Sequence, residues 1–481
     1  MALRAKIRHT CEAMKRFAVR LLCAIACFTS QADAQNTRET ATYQRIKASL
    51  DAVPAIDTHD HLFPFEMLPG FVETPRGPGM TLASLWRNSY LGWIHRFPAW
   101  PASGSFDEWW SAAKGGFDEV RATSFYRYTQ IAIQDLYGVD FGTITDAQAH
   151  AVNERVFDNY KDQRWLFHVI TERANIELMF NDPHWAPLDF ETHYPFEVLV
   201  FRVNSLIRGF HPSRLTKLSE NPYVFAKKEG VEVKTFDDYL ALLDVMFQRA
   251  KAAGAACLKT TVAYERSLRF ENVTKEAAAR AFGRPPDQVS AHEIQDFEDF
   301  IMWRLCELSA KYELPFQIHT GDARIQGSNP MLLVDLMAAN PKTKFILFHG
   351  GYPWIGETGV IVMKAMQTSR NVWIDSVWLP TISTSAAKRA FHEWLEIMPS
   401  DRIMWGGDCN HAEGIYGATE LTRRCVAEVL SEKVDRGDLK EKDAVQIGRN
   451  ILRENALALF PQLRERLWKD KGKLEPINSK R

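Results

Sequence analysis

Short apolar runs that end in polar or glycine residues recur along this chain, at 55–59, 176–180, 198–203, 256–262, 315–319, 345–349, 372–376 and 403–405. Their length and their β-branched and aromatic content predict buried strands. The stretches between them change period. Tyr239, Leu242, Leu243, Met246 and Phe247 mark one helical face within 237–253, and Phe297, Phe300, Ile301, Leu305 and Leu308 another within 296–311; shorter versions lie at 330–339 and 358–368. Strands alternating with helices predict a parallel sheet, because parallel neighbours need a crossover connection. Eight such units predict a closed (β/α)₈ barrel of the TIM type rather than an open doubly wound sheet.

The spacing is uneven. About a hundred residues separate the first two strands, and they hold Trp86, Trp93, Trp100, Trp109, Trp110, Tyr126 and Tyr128. A helical insertion at 63–165, lying over the C-terminal mouth of the barrel, is expected there. Smaller insertions are expected near 208–235 and 265–295. There is no internal repeat of fixed period.

The N-terminus breaks the pattern. Lys15 and Arg16 precede the apolar run 21–28, followed by Ala32-Asp33-Ala34-Gln35. This is the layout of a signal peptide at 1–34, with Met14 as the better start and a frayed amphipathic helix as the alternative. An exported protein, periplasmic or secreted, is therefore expected. The run is too short to span a bilayer. A single barrel at 35–470 and a basic tail at 471–481 complete the expected organisation. The formal net charge of −1 provides no basic field for nucleic acid. Beyond the leader the cysteines are Cys257, Cys306, Cys409 and Cys425, whose spacing suits neither a metal site nor a disulfide framework.

Candidate chemistry collects at the strand ends. His59 and His61 close the first strand, His319 the fifth, His349 the sixth and Asp408 the eighth. Barrel strand ends converge at one mouth. Alternate residues share a side, so His59 and His61 can grip one ion while Asp60 points away. Imidazole and carboxylate donors suit a divalent metal, zinc first, with manganese or iron as alternatives. Each residue alone has a bland reading as a satisfied core or surface group, and five at strand ends point to metal. Arg202, ending the third strand, can hold a substrate carboxylate with its planar fork or serve as a structural arginine at the rim. Asp375 on the seventh strand reads as structural.

The motifs Asp57-Thr58-His59-Asp60-His61, Ile318-His319-Thr320-Gly321, Phe348-His349-Gly350-Gly351 and Trp405-Gly406-Gly407-Asp408 resemble the amidohydrolase superfamily. Within it, they are most similar to the amidohydrolase-related group of uronate-isomerase-like and nodulin-like barrels, over about 45–460. The resemblance implies His59, His61, His319 and Asp408 as metal ligands. It implies His349 as either a second-metal ligand or a catalytic, substrate-polarising group. Lys259 falls near the carboxylated lysine that bridges two metals in many relatives, but a substrate-carboxylate anchor or a residue closing the barrel fits equally, so one or two ions remain open. The implied activity is metal-dependent hydrolysis of an amide or lactone in a small carboxylate-bearing substrate. Asp408 takes a proton from water and delivers it to the leaving group, His349 steadies the oxyanion, and Arg202 or Lys259 holds the carboxylate. A decarboxylase or uronate-type sugar-acid isomerase on the same site is the first alternative, and a non-catalytic exported ligand-binding barrel the second. The expected partner is a small-molecule substrate, with no nucleic acid and no membrane span; a homo-oligomer stays open.

Overall fold

The computed structural model describes residues 36–467. The expected leader and basic tail lie outside the described residues. Eight parallel strands follow one another around a single sheet in chain order. They are β1 (Ala55–Asp60), β2 (Ile176–Asn181), β3 (Glu197–Arg202), β4 (Cys257–Thr260), β5 (Phe316–Ile318), β6 (Phe345–Leu347), β7 (Val372–Asp375) and β8 (Ile403–Met404). Every adjacent pair is parallel. Nearly all strand residues are buried, as a sheet covered on both faces requires.

The barrel closes through residues just beyond β8. Thr58 N–H donates to the Trp405 carbonyl (3.2 Å), Asp408 N–H to His59 (2.8 Å) and His61 N–H to Cys409 (2.7 Å). Glycine is needed at this seam. A Cβ on Gly406 would stand 2.4 Å from Val377 Cγ2 and 2.9 Å from the His59 nitrogen, too close for any side chain.

The predicted helical stretches are the helices Phe236–Ala252, Ala291–Tyr312, Val334–Ala339 and Ile355–Ala365. The two long ones start at capping boxes, Thr235 with Asp238 and Ser290 with Glu293, which satisfy first-turn N–H groups. The strand ends differ from the sequence expectation for a physical reason. The sixth run stops at Leu347 because His349 (φ 60°) and Gly350 (φ 57°) take left-handed backbone, which no strand can continue.

Between β1 and β2 lies a group of helices, among them Leu82–Asn88, Leu91–Ile94, Phe106–Ala113, Ser124–Tyr137 and Asp146–Asn159. Ser124–Tyr137 packs on Ala412–Asp435, the helix following β8, closely enough that a Cβ on Gly417 would meet the Tyr128 carbonyl at 2.2 Å. The contact is also polar. The buried Glu413 carboxylate accepts from Tyr137 Oη (2.6 Å), Tyr160 Oη (2.6 Å) and Trp165 Nε1 (3.0 Å). Burial pushes this carboxyl up, and the three donors oppose it. Cys257, Cys306, Cys409 and Cys425 are free, buried thiols. No helix among the described residues is long and apolar enough to cross a membrane.

Candidate metal centre

The floor of the mouth is an acid pair beneath the His-x-His motif. Asp57 accepts from the backbone of His59 (3.0 Å) and Gly407 (3.0 and 3.1 Å), and Asp60 from Cys409 N–H (2.6 Å). Burial pushes both carboxyls up, Asp57 to about 7 and Asp60 well above its ordinary range. Each carboxylate also raises the other's cost of ionising, as two buried like charges do. Asp60 thus points away from the mouth and stitches β1 to the segment after β8. Asp375 does similar work, accepting from Thr58 Oγ1 (2.5 Å) and Val377 N–H (3.1 Å).

Above that floor, one donor atom from each of His59, His61 and Asp182 lies within 4.8 Å of the others. Asp408 Oδ1 completes the group, 3.2 Å from His61 Nε2 and 3.6 Å from His59 Nε2. The orientation suits ligation. His61 Nδ1 meets the Asp182 carbonyl at 3.1 Å, which places its proton there and leaves Nε2 as a lone-pair donor. Arg202 Nη1 holds Asp182 Oδ2 at 2.5 Å, while Asp182 Oδ1 and His59 Nδ1 are buried without a hydrogen-bond partner. Two imidazoles and two carboxylates, with orphaned donor atoms among them, fit a divalent cation.

The electrostatics agree. Burial drives His59 well below its ordinary value, with Lys259 and His61 adding to the effect, so it stays neutral. Burial also works against the charged forms of His61 and Asp408, but each one's attraction for the other outweighs it, raising His61 and lowering Asp408; a cation bound between them would displace the His61 Nε2 proton. For Asp182, burial is outweighed by Arg202 and His61, and the carboxyl is held low.

His319 and His349 form a second unit. His349 Nε2 lies 2.9 Å from His319 Nδ1, and His349 Nδ1 lies 3.2 Å from the Val377 carbonyl. His319 therefore faces His349, outside the tightest donor group, although it lines the same cavity. His349 stands behind it, 3.8 Å from Asp408 Oδ2. Burial holds His349 down to about 4, with Asp408 opposing, and drives His319 well below its ordinary value, with His349 adding to the effect. Lys259 Nζ sits 3.4 Å above the Phe348 ring, buried and without a hydrogen-bond partner. Burial lowers it to about 7. Arg202 is engaged by Asp182 and by Thr261 Oγ1 (2.5 Å), which leaves part of its fork for a ligand.

His59, His61, Arg202, Lys259, His319 and Asp408 line a cavity of about 410 Å³ whose walls also include Tyr90, Trp93, His184, Tyr264 and Trp378. Tyr90 Oη donates to the Asp408 carbonyl. His349, Trp378 and Asp408 all have positive φ, at 60°, 60° and 59°. Such backbone costs of order 1–3 kcal/mol per residue and persists where the surroundings fix it. Trp93 belongs to the aromatic insertion expected over the mouth, whereas Asp182, His184, Tyr264 and Trp378 are not among the residues expected from the sequence. Asp182 was within reach, since it stands just past β2, where the strand-end rule selects ligand-type residues. Tyr264 and Trp378 were not, because they come from loops whose approach no periodicity encodes.

A family profile described as amidohydrolase matches residues 226–462. Protein fluG of Emericella nidulans is 29% identical over 200 residues, 38% of this chain and 23% of the fungal protein. The match thus spans about a quarter of that relative's length. Among solved structures, glucuronate isomerase from Caulobacter crescentus aligns with a TM-score of 0.68 at 14% identity, over 89% of this chain and 95% of its own. Uronate isomerase from Thermotoga maritima aligns with a TM-score of 0.67 at 14% identity, over 87% of this chain and 97% of its own. Likeness at that identity speaks for the fold. The amidohydrolase profile thus covers just under half of this chain, in its C-terminal part, and the chain folds as a barrel similar to those of the uronate isomerases.

Proposed function

We propose that the protein is a metal-dependent hydrolase of an amide or lactone in a small carboxylate-bearing substrate. The observation that carries this reading is the position of Asp408. Its Oδ1 faces the imidazoles of His59 and His61, and its Oδ2 faces His349. His59, His61, Asp182 and Asp408 would hold a divalent ion, zinc first by donor chemistry, which when bound would supply Lewis acidity and lower the pKa of a water from about 15.7 towards 7. Asp408, held low and therefore ionised, accepts the proton of the attacking water and returns it to the leaving group. His349 keeps its proton on Nδ1 against the Val377 carbonyl and orients Asp408 from behind. Lys259 and the free part of Arg202 supply the positive field for the substrate carboxylate.

A second reading, sugar-acid isomerisation, draws on the His319–His349 pair, two neutral imidazoles 2.9 Å apart that can pass a proton between neighbouring carbons. The solved structures named above are those of a uronate and a glucuronate isomerase. The readings separate in ¹⁸O-labelled water. Zinc-loaded protein offered amides, lactones and uronates is expected to place solvent oxygen in a new carboxylate. Product that carries solvent hydrogen but no solvent oxygen would favour the isomerase and sink the hydrolase.

A further inference from the structure

We infer that the helical insertion carries a second subsite, an aromatic anion pocket that receives the far end of the substrate whose reacting end lies at the metal centre. This rests on the proposed reading of that centre. A cavity of about 710 Å³ opens within the insertion, walled by Trp86, Trp93, Phe97, Trp100 and Trp109. Trp93 also lines the metal-side cavity, so one side chain is the common wall of both. It is 61% exposed and rests edge-on against Tyr90 and Trp378, with ring centroids 5.1 and 5.4 Å away.

The polar groups of the pocket define its ligand. Arg87 and Arg96 line it, and among the described residues neither guanidinium has a hydrogen-bonded or ion-paired partner. Exposed arginines elsewhere in the insertion do: Arg76 pairs with Glu154 and Asp158, and Arg121 with Asp118. No aspartate or glutamate lines the cavity. The Trp86 indole N–H is buried without an acceptor. Unneutralised guanidiniums select an anion, bidentately if it is a carboxylate. Flat indole faces select an aromatic ring. The wall has no carboxamide or carboxylate to satisfy several hydroxyls, so the pocket suits an aryl carboxylate better than a sugar acid. Joining the two ends in one molecule makes the second contact intramolecular, which raises affinity without any new contact.

Calorimetry with 2-naphthoate, 2-naphthamide and a 2-naphthoate bearing a short hydroxamate arm tests this. The first is expected to bind equally with and without zinc. The neutral amide, and 2-naphthoate on R87Q/R96Q, are expected to bind about ten-fold more weakly, the scale of a lost charge-assisted hydrogen bond. Unchanged thermal unfolding of R87Q/R96Q checks its fold, and the amide comparison needs no variant. The armed compound is expected to gain about 100-fold from zinc on the wild type, as a linked ligand does. Naphthoate binding that ignores Arg87 and Arg96, or that is lost instead in Arg202→Ala, overturns the pocket. An armed compound that gains nothing from bound zinc overturns its link to the metal centre. A protein that takes up no zinc overturns the metal reading itself, and arginine-dependent naphthoate binding still judges the pocket separately.

Discussion

At the scale of single residues, the proposed chemistry centres on Asp408. It sits on left-handed backbone, its carbonyl held by Tyr90, with its carboxylate between the β1 histidines and His349. Asp408→Asn keeps the shape and removes the proton acceptor, so kcat is expected to fall by about 10²–10⁴-fold. Steady-state kinetics on the amide or lactone identified by ¹⁸O labelling checks this, and a variant within a few-fold of wild type would contradict it. The histidines make a second prediction. Burial holds His184 and His349 to about 4 and His411 to about 3, all below the ordinary 6.5. Between pH 6.5 and those values the unfolded chain binds more protons than the folded one, so stability rises with pH across the window. Their contribution is complete above pH 6.5 and is lost on acidification towards pH 3–4. Thermal unfolding of the protein in chelator is expected to show Tm falling through that range; a Tm that climbs as pH drops would refute it. His61, raised by Asp408, runs the other way and tempers the slope.

At the scale of elements, the strands were the legible part. Runs such as Val198–Val203 and Phe345–Leu347 are apolar on both sides because the barrel buries both faces, and that pattern survives in a single sequence. His59, His61, His319, His349 and Asp408 were legible because each follows such a run. Tertiary approach was not legible. That His319 turns to His349, that Arg202 serves Asp182, and that Trp378 lines the same cavity all depend on distances between segments far apart in the chain. The insertion's attachment makes a third prediction. Three donors from it converge on Glu413, and hydrogen bonds to a charged group contribute about 1.5–3 kcal/mol each. Glu413→Ala strands those donors and is expected to cost about 3 kcal/mol or more in urea unfolding. It should also loosen the wall formed by Tyr90 and Trp93. A loss under about 0.5 kcal/mol, the range of an ordinary surface substitution, would show that the network does not anchor the insertion.

At the scale of the whole molecule, the barrel brings together groups that could not otherwise coexist. His59, Asp182, Lys259, His319 and Asp408 are all buried, and burial works against the charged form of each. A cation bound among the donors offsets part of that cost in the folded state alone, so it stabilises the fold by mass action. Zinc at about 1,000 times its Kd is expected to add about 4 kcal/mol. The most direct test of the account is therefore the metal content of purified protein, by mass spectrometry after exhaustive dialysis, beside His61→Ala and Asp182→Ala. The account predicts stoichiometric divalent metal in the wild type, strongly depleted in both variants, with a Tm that falls on chelation and recovers on zinc addition. Wild-type protein that retains no metal and unfolds at the same temperature with and without zinc would contradict it.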